Sequence, residues 1–298
     1  MKKVSIFLSS LLLSLLLCAT AVLAAEPEVI KVRDAVQLVR AIGPNRVINL
    51  APGTYNLTEA AGISNPYVSW EDCFDGPQLN ISNVSGLTIN GGSDRYLYHL
   101  VVSPSYADVM QFANCSDIKL NGLKMGHLKT GTCTGSVLDF SASERIEISR
   151  CELYGCGVIG LELNSCKKVK VSSSKIHSCS DTLLSLVNSS QLSFENVNLQ
   201  HRDNAYGAAV HISGILTDVA FKNSFFSGYP HQSMFSGYQP RFNNFTITNC
   251  KTTLISFGGK PMTRQIDFSY SSDSDKCQPY SIINRGFDNQ DTSSCHCR

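Results

Sequence analysis

Charge is scarce in this sequence, and its scarcity excludes several functions. Only 16% of the 298 residues are charged, and the formal net charge is +1. Nucleic acid is excluded as a partner, because phosphate binding requires a basic field that this composition does not supply. No Cys-x-x-Cys pair occurs among the twelve cysteines, so a zinc knuckle has no support either.

Long apolar runs are also absent after the first residues. Residues 1–24 combine two lysines, an apolar run from Val4 to Leu17 and a small-residue end before Ala25. This order is typical of a cleaved secretory signal peptide, and the Met-Lys-Lys start suggests a bacterial source. The run is shorter than the ~20 residues that span a bilayer, and no later stretch is long enough. We therefore expect a secreted, periplasmic or cell-envelope protein without a transmembrane segment in the mature chain.

One short phrase recurs along the chain: apolar-x-apolar, two further residues, then a small or apolar residue, x and apolar. Each copy alternates with period two, which is typical of a strand with one buried face. Two or three strands in each interval of 23 to 31 residues match one coil of a right-handed parallel β-helix. The predicted fold class is all-β, a single solenoid over residues 45–258. The anchors of the phrase are Leu87, Ile118, Ile146, Val169, Leu192, Val219 and Phe245.

The two ends of the chain depart from this repeat. In residues 25–44, apolar side chains from Lys31 to Ile42 lie on one helical face, and Gly43-Pro44 ends the run. We expect a short N-terminal helix that covers the open edge of the first coil, followed by a linker. Residues 259–298 lose the repeat and become polar, which predicts a C-terminal cap or a polar tail.

Three phrases are specific for a known architecture: Ile48–Tyr55, Val84–Gly92 and Cys151–Gly157. With them, the chain resembles bacterial right-handed parallel β-helix repeat proteins of the pectate-lyase-like superfamily over about residues 45–258. The resemblance implies an exported, carbohydrate-interacting protein, and a polysaccharide lyase or glycoside hydrolase if the protein is an enzyme. The Asp-Asp and Gly-His-Gly phrases of polygalacturonase-like members are missing here.

One outward ladder of the predicted coils is acidic. Equivalent residues of successive coils lie about 4.8 Å apart, so Asp139 and Glu162 become neighbours with no lysine or arginine between them. Carboxyl groups about 5 Å apart suit a retaining glycosidase, and an oxygen-rich pair suits Ca²⁺. We interpret both acids as catalytic candidates or as Ca²⁺ ligands, with no cofactor required. Solvated, screened carboxylates are the alternative.

Other residues extend this candidate site. In the ladder itself, His211 is a catalytic candidate, and Gln111 and Ser185 are substrate-binding candidates. The loop after Leu199 adds Arg202, the base that a lyase would need, and the substrate-binding candidate Asp203. Trp70, in an insertion over residues 63–78, is a candidate wall for sugar stacking, or else packing.

Two further ladders are expected. Cys133, Cys156 and Cys179 lie 23 residues apart and predict an edge ladder in which two neighbours could form a disulfide, with the pairing unknown. Lys124, Glu152 and Lys175 predict a solvated ion-pair ladder.

Two functions from different classes follow. The first is a polysaccharide lyase or hydrolase that uses the acidic ladder. The alternative is a non-catalytic module that binds glycans or proteins, or has a structural role. In either case we expect a monomer, with a polysaccharide as the partner if the protein interacts with carbohydrate.

Overall fold

Parallel pairing between strands one coil apart organises the chain. The computed structural model describes residues 26–129, 134–155, 157–255 and 262–270. The strands wind into a parallel β-solenoid of about six turns, as the repeat predicts. The segment read as a signal peptide and most of the C-terminal segment lie outside the described residues.

Most strands are short, as the repeat requires, whereas β20 (Val210–Lys222) and β22 (Phe235–Leu254) continue from one sheet into the next. In chain order the first twelve are β1 (Glu28–Val32), β2 (Arg46–Leu50), β3 (Gly53–Asn56), β4 (Val68–Cys73), β5 (Gly76–Ser82), β6 (Ser85–Asn90), β7 (Tyr98–Val102), β8 (Met110–Ala113), β9 (Ser116–Asn121), β10 (Lys124–His127), β11 (Leu138–Ser141) and β12 (Glu144–Ser149). They continue with β13 (Glu152–Tyr154), β14 (Ile159–Asn164), β15 (Lys167–Ser172), β16 (Lys175–His177), β17 (Thr182–Val187), β18 (Ser190–Glu195), β19 (Asn198–Gln200), β20 (Val210–Lys222), β21 (Phe225–Gly228), β22 (Phe235–Leu254) and β23 (Met262–Tyr270).

The parallel strands form three sheets that wrap one core. Sheet I contains β5, β8, β11, β14, β17 and the first residues of β20 and β22. Sheet II contains β1, β2, β6, β9, β12, β15, β18 and the following parts of β20 and β22. Sheet III contains β3, β7, β10, β13, β16, β19, β21 and the end of β22.

Stacked side chains fill the core. Inside sheet I, Leu138, Leu161 and Leu184 are register partners in successive coils, and all three are fully buried. In sheet II the rings of Phe194 and Phe221 stack with their centroids 4.6 Å apart. The inward ladders therefore form as the alternation predicts, and burial of these side chains is the main source of stability.

The corner between sheets I and II requires left-handed backbone. Five register-equivalent corner residues have φ between 45° and 57°, a region that asparagine tolerates better than most residues. The next coil makes the same corner at Gly214, φ 69°. Small residues, all polar except Ala142 and Gly214, therefore form the turn between the two sheets at these points. The five residues are Asn83, Asn114, Ala142, Ser165 and Asn188.

The cysteines behave as small buried residues. Cys115 and Cys166 follow corner residues, and their backbone N–H groups donate to the hydroxyls of Ser143 and Ser189, each at 2.9 Å. Cys179 carries a buried free thiol rather than lying at an exposed edge. Its predicted partners, Cys133 and Cys156, lie outside the described residues, so the pairing within this ladder stays a prediction. All six cysteines that the structure describes are free thiols: Cys73, Cys115, Cys151, Cys166, Cys179 and Cys250.

The N-terminal helix is shorter than the sequence predicts. Helix α1 spans Ala35–Ala41, and the side chain of Asp34 caps it by accepting from the Gln37 N–H at 2.7 Å. Lys31 and Val32 lie instead in β1, because they pair in parallel with β2. The role of α1 as a cap over the coil stack stays a prediction.

Two antiparallel pairings interrupt the parallel pattern. The insertion over residues 63–78 contributes β4, which forms a hairpin with β5 at the edge of sheet I. Toward the C-terminus, β23 pairs antiparallel with β22, so part of the polar segment 259–298 continues the sheet structure.

Removing one ring from the sheet II stack tests the packing of the core. Phe194→Ala is expected to lower the free energy of unfolding by about 3–5 kcal/mol, because Phe194 is fully buried and leaves a cavity. The matched change Phe74→Ala removes a ring that is 86% exposed and should cost less than about 0.5 kcal/mol. Urea denaturation measures both, and equal losses would contradict this description of the core.

Candidate functional site

The acidic ladder forms on the outer surface of sheet I. Asp139 of β11 and Glu162 of β14 are direct register partners, with Gln111 before them and Ser185 after them. His211 of β20 follows Ser185 in the next coil. The structure thus brings together these five predicted residues, and we call this surface the acidic face.

Amide side chains organise the N-terminal end of the acidic face. The Gln111 amide donates to the Asp139 carboxylate at 3.2 Å and accepts from the Gln78 amide at 3.4 Å. Gln78 also donates to Asn80 at 3.1 Å, and Asn80 donates to Glu71 on β4 at 3.3 Å. The β4–β5 hairpin is therefore connected to Asp139 through amide hydrogen bonds.

Asp108 is a further acid at this site that the sequence reasoning missed. Its backbone N–H donates to Gln78 at 2.8 Å, and its carboxylate accepts from the Ser136 N–H at 2.5 Å. Burial raises the pKa of Asp108 to about 7, and the charges of Asp139 and Glu162 add to the rise. The sequence does contain a signal for Asp108. It stands two residues before β8, just as Ser136 stands two residues before β11, so the two residues are equivalent in successive coils.

At the other end of the acidic face, Asp181 lies beside His211. Burial raises the pKa of Asp181, while the charge of His211 and a hydrogen bond from Thr182 lower it. His211 Nδ1 lies 3.1 Å from the Ser236 hydroxyl, the next outward residue of sheet I. The acids of this surface thus extend from Asp108 to Asp181.

The electrostatics of the central pair differ from those of a solvated surface. Asp139 and Glu162 are partly buried, and burial raises the pKa of both carboxyls. The charge of Asp139 raises the pKa of Glu162 further, whereas the Gln111 hydrogen bond opposes the rise at Asp139. Among the described residues, no ion pair reaches either carboxylate.

The described acids do not form a metal cage. Within the residues that the structure describes, no group of three or more histidine, cysteine, aspartate or glutamate side chains is arranged to hold a metal ion. Asp139 and Glu162 supply carboxylate oxygens of the type that Ca²⁺ prefers, yet a Ca²⁺ ion at this pair would need further ligands.

Trp70 lies apart from the acidic face. It packs against the core, and its indole N–H donates to the Ile63 carbonyl at 2.7 Å. Trp70 is therefore a packing residue of the hairpin. It neighbours Glu71 in β4, but the two side chains point to opposite faces of that strand.

The loop after β19 holds the remaining candidates. Arg202 lies near the buried thiol of Cys179, whose pKa it lowers against the larger effect of burial. The Arg202 carbonyl accepts from Gln232 at 2.7 Å, and the Asp203 carbonyl contacts His231 Nε2 at 2.9 Å. Asp203 is exposed. None of these contacts involves the acidic pair, and the roles of Arg202 and Asp203 stay predictions.

A second polar cluster lies on sheet III, where the sequence predicts a solvated ladder. Glu152 is only 5% exposed there, so this expectation is wrong for Glu152. It lies 3.4 Å from Arg95 Nε, 3.6 Å from Lys124 Nζ and 3.2 Å from His177 Nε2. The short turn Arg95–Leu97 places Arg95 here, which the ladder pattern alone does not show.

Proton positions in this second cluster follow from the contacts. Burial lowers the pKa of His177, so it is neutral near pH 7 and donates its Nε2–H to Glu152 while Nδ1 accepts from Ser178. Burial alone would raise the pKa of Glu152, but the His177 hydrogen bond and the Lys124 charge hold it below its ordinary value. Glu152 thus serves as a buried anchor for neighbouring cations.

The chain belongs to the right-handed β-helix family, whose description, "Right handed beta helix region", matches residues 85–261. Among solved structures, an alginate lyase from Paenibacillus sp. str. FPU-7 is similar, with 13% identity, a TM-score of 0.52 and 75% of each chain covered. An exopolygalacturonase from Thermotoga maritima has 10% identity and a TM-score of 0.32, covering 82% of this chain and 86% of that one. A surface adhesin of Streptococcus pneumoniae has 10% identity and a TM-score of 0.31, covering 82% and 76%.

At these identities the structural similarity concerns the fold, and it confirms the predicted β-helix. No curated protein matches the sequence. In the part of the chain with described coordinates, no helix is long and apolar enough to cross a membrane.

The protonation of Asp108 predicts how stability depends on pH. Its pKa is about 7 in the folded protein and 3.8 when unperturbed, so the folded state retains a proton that the unfolded chain releases between these values. The free energy of unfolding should therefore fall as pH rises from 4 to 7, by at most about 4 kcal/mol from this group, at about 1.4 kcal/mol per pKa unit.

The variant Asp108→Asn keeps an oxygen for the Ser136 N–H but cannot titrate, so denaturation across this pH range should show a smaller slope. Asp117→Asn is the control, because the Arg145 hydrogen bond lowers the pKa of exposed Asp117 and places its titration below this window. An unchanged slope in Asp108→Asn would contradict the assignment.

Proposed function

We propose that this chain is an exported glycoside hydrolase that cleaves polysaccharide at the acidic face of sheet I. One observation carries the proposal: Asp139 and Glu162 are neighbouring, partly buried carboxyls without an ion-pair partner among the described residues. A strand spacing of about 4.8 Å is close to the carboxyl separation of retaining glycosidases, in which one acid is the nucleophile and the other protonates the leaving oxygen.

The environments of the two acids assign their roles. Asp139 accepts a hydrogen bond from Gln111 that stabilises its charged form, so Asp139 is the nucleophile. Glu162 has no such hydrogen bond in the described structure, and both burial and the Asp139 charge raise its pKa. Glu162 therefore holds its proton more readily and is the general acid in glycosidic cleavage and the base in the hydrolysis that follows.

The flanking polar residues bind substrate in this proposal. With its pKa raised to about 7, Asp108 keeps its proton at mildly acidic pH and there donates a hydrogen bond to a sugar hydroxyl, and Gln111 offers an amide beside it. Ser185 and His211 follow Glu162 along the ladder. Because Ser185 is only 4% exposed, His211 is the residue that faces the next sugar unit.

Hydrolysis is preferred to elimination in this proposal because the two neighbouring carboxyls, Asp139 and Glu162, match the acid and the nucleophile of a retaining mechanism on a glycosidic bond.

Replacing either acid tests the proposal. Asp139→Asn and Glu162→Gln should each lower the release of reducing ends from soluble polysaccharides by about 10²–10⁴-fold, because each removes a group that acts in the transition state. Thermal unfolding should change little, since neither carboxylate forms an ion pair in the described structure.

The matched control is Glu147→Gln on sheet II, whose exposed carboxylate pairs with Lys119 at 3.4 Å and should leave the rate unchanged. Assays with Ca²⁺ and with a chelator determine whether the acidic pair also binds that ion. Wild-type rates in both acid variants would contradict the proposed catalysis. A wild-type protein that binds polysaccharide without releasing reducing ends would favour a non-catalytic glycan-binding module.

A further inference from the structure

Exposed aromatic side chains lie at both ends of the acidic face. Phe74 is 86% exposed at the tip of the β4–β5 hairpin, and Tyr106, 40% exposed, lies beside it with the ring centroids 5.0 Å apart. Tyr206, also 86% exposed, precedes β20 at the other end. Single exposed apolar side chains are ordinary on protein surfaces, whereas the neighbouring rings of Phe74 and Tyr106 form a larger apolar patch.

The register places the two tyrosines on one line. Tyr106 and Tyr206 each stand four residues before an inward residue of the same sheet I ladder, Met110 and Val210. Three coil positions lie between them, and each has a short side chain or none: Thr134, Gly157 and Ser180. The Tyr206 N–H donates to the Ser180 carbonyl at 3.2 Å, and the Ser180 N–H donates to the Gly157 carbonyl at 2.9 Å, so the edge from Gly157 to Tyr206 is stacked in register.

Four coil steps separate the two tyrosines, which is about 19 Å at the spacing of neighbouring strands. The three positions between them carry short side chains or none, and Asp139 and Glu162 follow Thr134 and Gly157 by five residues in the same two coils. The geometry is that of an elongated binding surface with an aromatic group at each end, rather than of a closed pocket.

The first aromatic group is held in place by hydrogen bonds. The Asp75 carboxylate, next to Phe74, accepts from the N–H groups of Ser105 and Tyr106 at 2.7 and 3.0 Å. These bonds tie the tip of the hairpin to the loop that carries Tyr106. The pair is therefore fixed before any ligand arrives, which lowers the entropic cost of binding.

The loop of Tyr206 is also fixed. The Gln232 amide donates to the carbonyls of Arg202 and Ala205 at 2.7 and 3.2 Å. Gly207 packs so closely on Asp181 that a Cβ added there would lie 2.4 Å from the Asp181 carboxylate. Tyr206 is therefore held next to Asp181, at the end of the acidic face.

We infer that Phe74 with Tyr106, and Tyr206, are two stacking platforms for an extended neutral oligosaccharide that lies along the solenoid axis across the acidic face. Sugar rings present an apolar C–H face to aromatic rings and hydroxyls to carboxylates. The span fits roughly four rings, if each ring advances an extended glycan by about the strand spacing. The inference rests on the proposed function for its substrate class.

The charge of the surface selects against anionic glycans. Asp108, Asp139, Glu162 and Asp181 lie between the platforms, and no lysine or arginine forms an ion pair with any of them in the described residues. A uronic acid or a sulfated sugar would place its own negative charge against these carboxylates. The repulsion between the negative charges would weaken the binding of an anionic glycan.

Oligosaccharide length tests the two platforms together. The probes are linear β-1,4-linked gluco-, manno- and xylo-oligosaccharides from the disaccharide to the hexasaccharide, with oligogalacturonates of the same lengths as the anionic series. Calorimetry with the full mature chain measures affinity, in wild type and in a Glu162→Gln background that does not consume the probe. Affinity for at least one neutral series should rise up to about the tetrasaccharide and then level off, and the anionic series should bind more weakly.

The aromatic variants provide the second arm. Tyr106→Ala and Tyr206→Ala should each lower the affinity for the hexasaccharide about fivefold to tenfold, while Tyr96→Ala, an exposed tyrosine before sheet III, should have no effect. Affinity that does not depend on length, Tyr106 and Tyr206 variants that bind like wild type, or stronger binding of the anionic series would each overturn the inference.

These results separate the two proposals. Reducing-end release that is lost in Asp139→Asn but unaffected by either tyrosine variant would support hydrolysis and overturn the platforms. Length-dependent binding that needs both tyrosines, without any reducing-end release, would support the platforms and overturn the catalysis.

Discussion

Hydrogen bonding between successive coils at constant register is the constraint on which this structure depends. Because Leu138 lies opposite Leu161, the outward residues Asp139 and Glu162 must also lie opposite each other. A slip of one residue would exchange the inner and outer faces of a strand, so burial of the leucines holds the two acids together. The free energy that holds these like charges side by side therefore comes from the hydrophobic core beneath them and not from any attraction on the surface.

The parts of the molecule that follow from alternation could be predicted from the sequence. The alternation of apolar and polar residues identified the side chains that point into the core. The order of residues in the acidic face then followed from counting the residues between successive coils. Asp108 was not found because it precedes its strand, and the ladder was counted from strand residues alone. The environment of Glu152 was also missed, since it depends on how the turn carrying Arg95 folds back over sheet III. Sequence periodicity reports which face a strand residue occupies, but it does not report what a loop brings to that face.

Competition between local and long-range pairing explains the other differences. Lys31 and Val32 fit a helical pattern, yet pairing with β2 gives their backbone groups partners along a whole strand. Cys115 and Cys166 occupy positions that Ser143 and Ser189 fill in neighbouring coils. At such corner positions a small side chain and a weak hydrogen bond are sufficient, and cysteine meets both requirements.

The spacing of the coils also has a consequence for how such a molecule can change. Two successive coils contain 23 residues each, from Leu138 to Leu161 and from Leu161 to Leu184, and both keep the same corner and the same inward leucine. A coil can therefore be duplicated or deleted in a gene without disturbing the packing of its neighbours. Each such event would change the distance between Tyr106 and Tyr206 by one strand spacing. The separation of the two tyrosines can therefore change during evolution only in fixed steps, set by the number of coils between them.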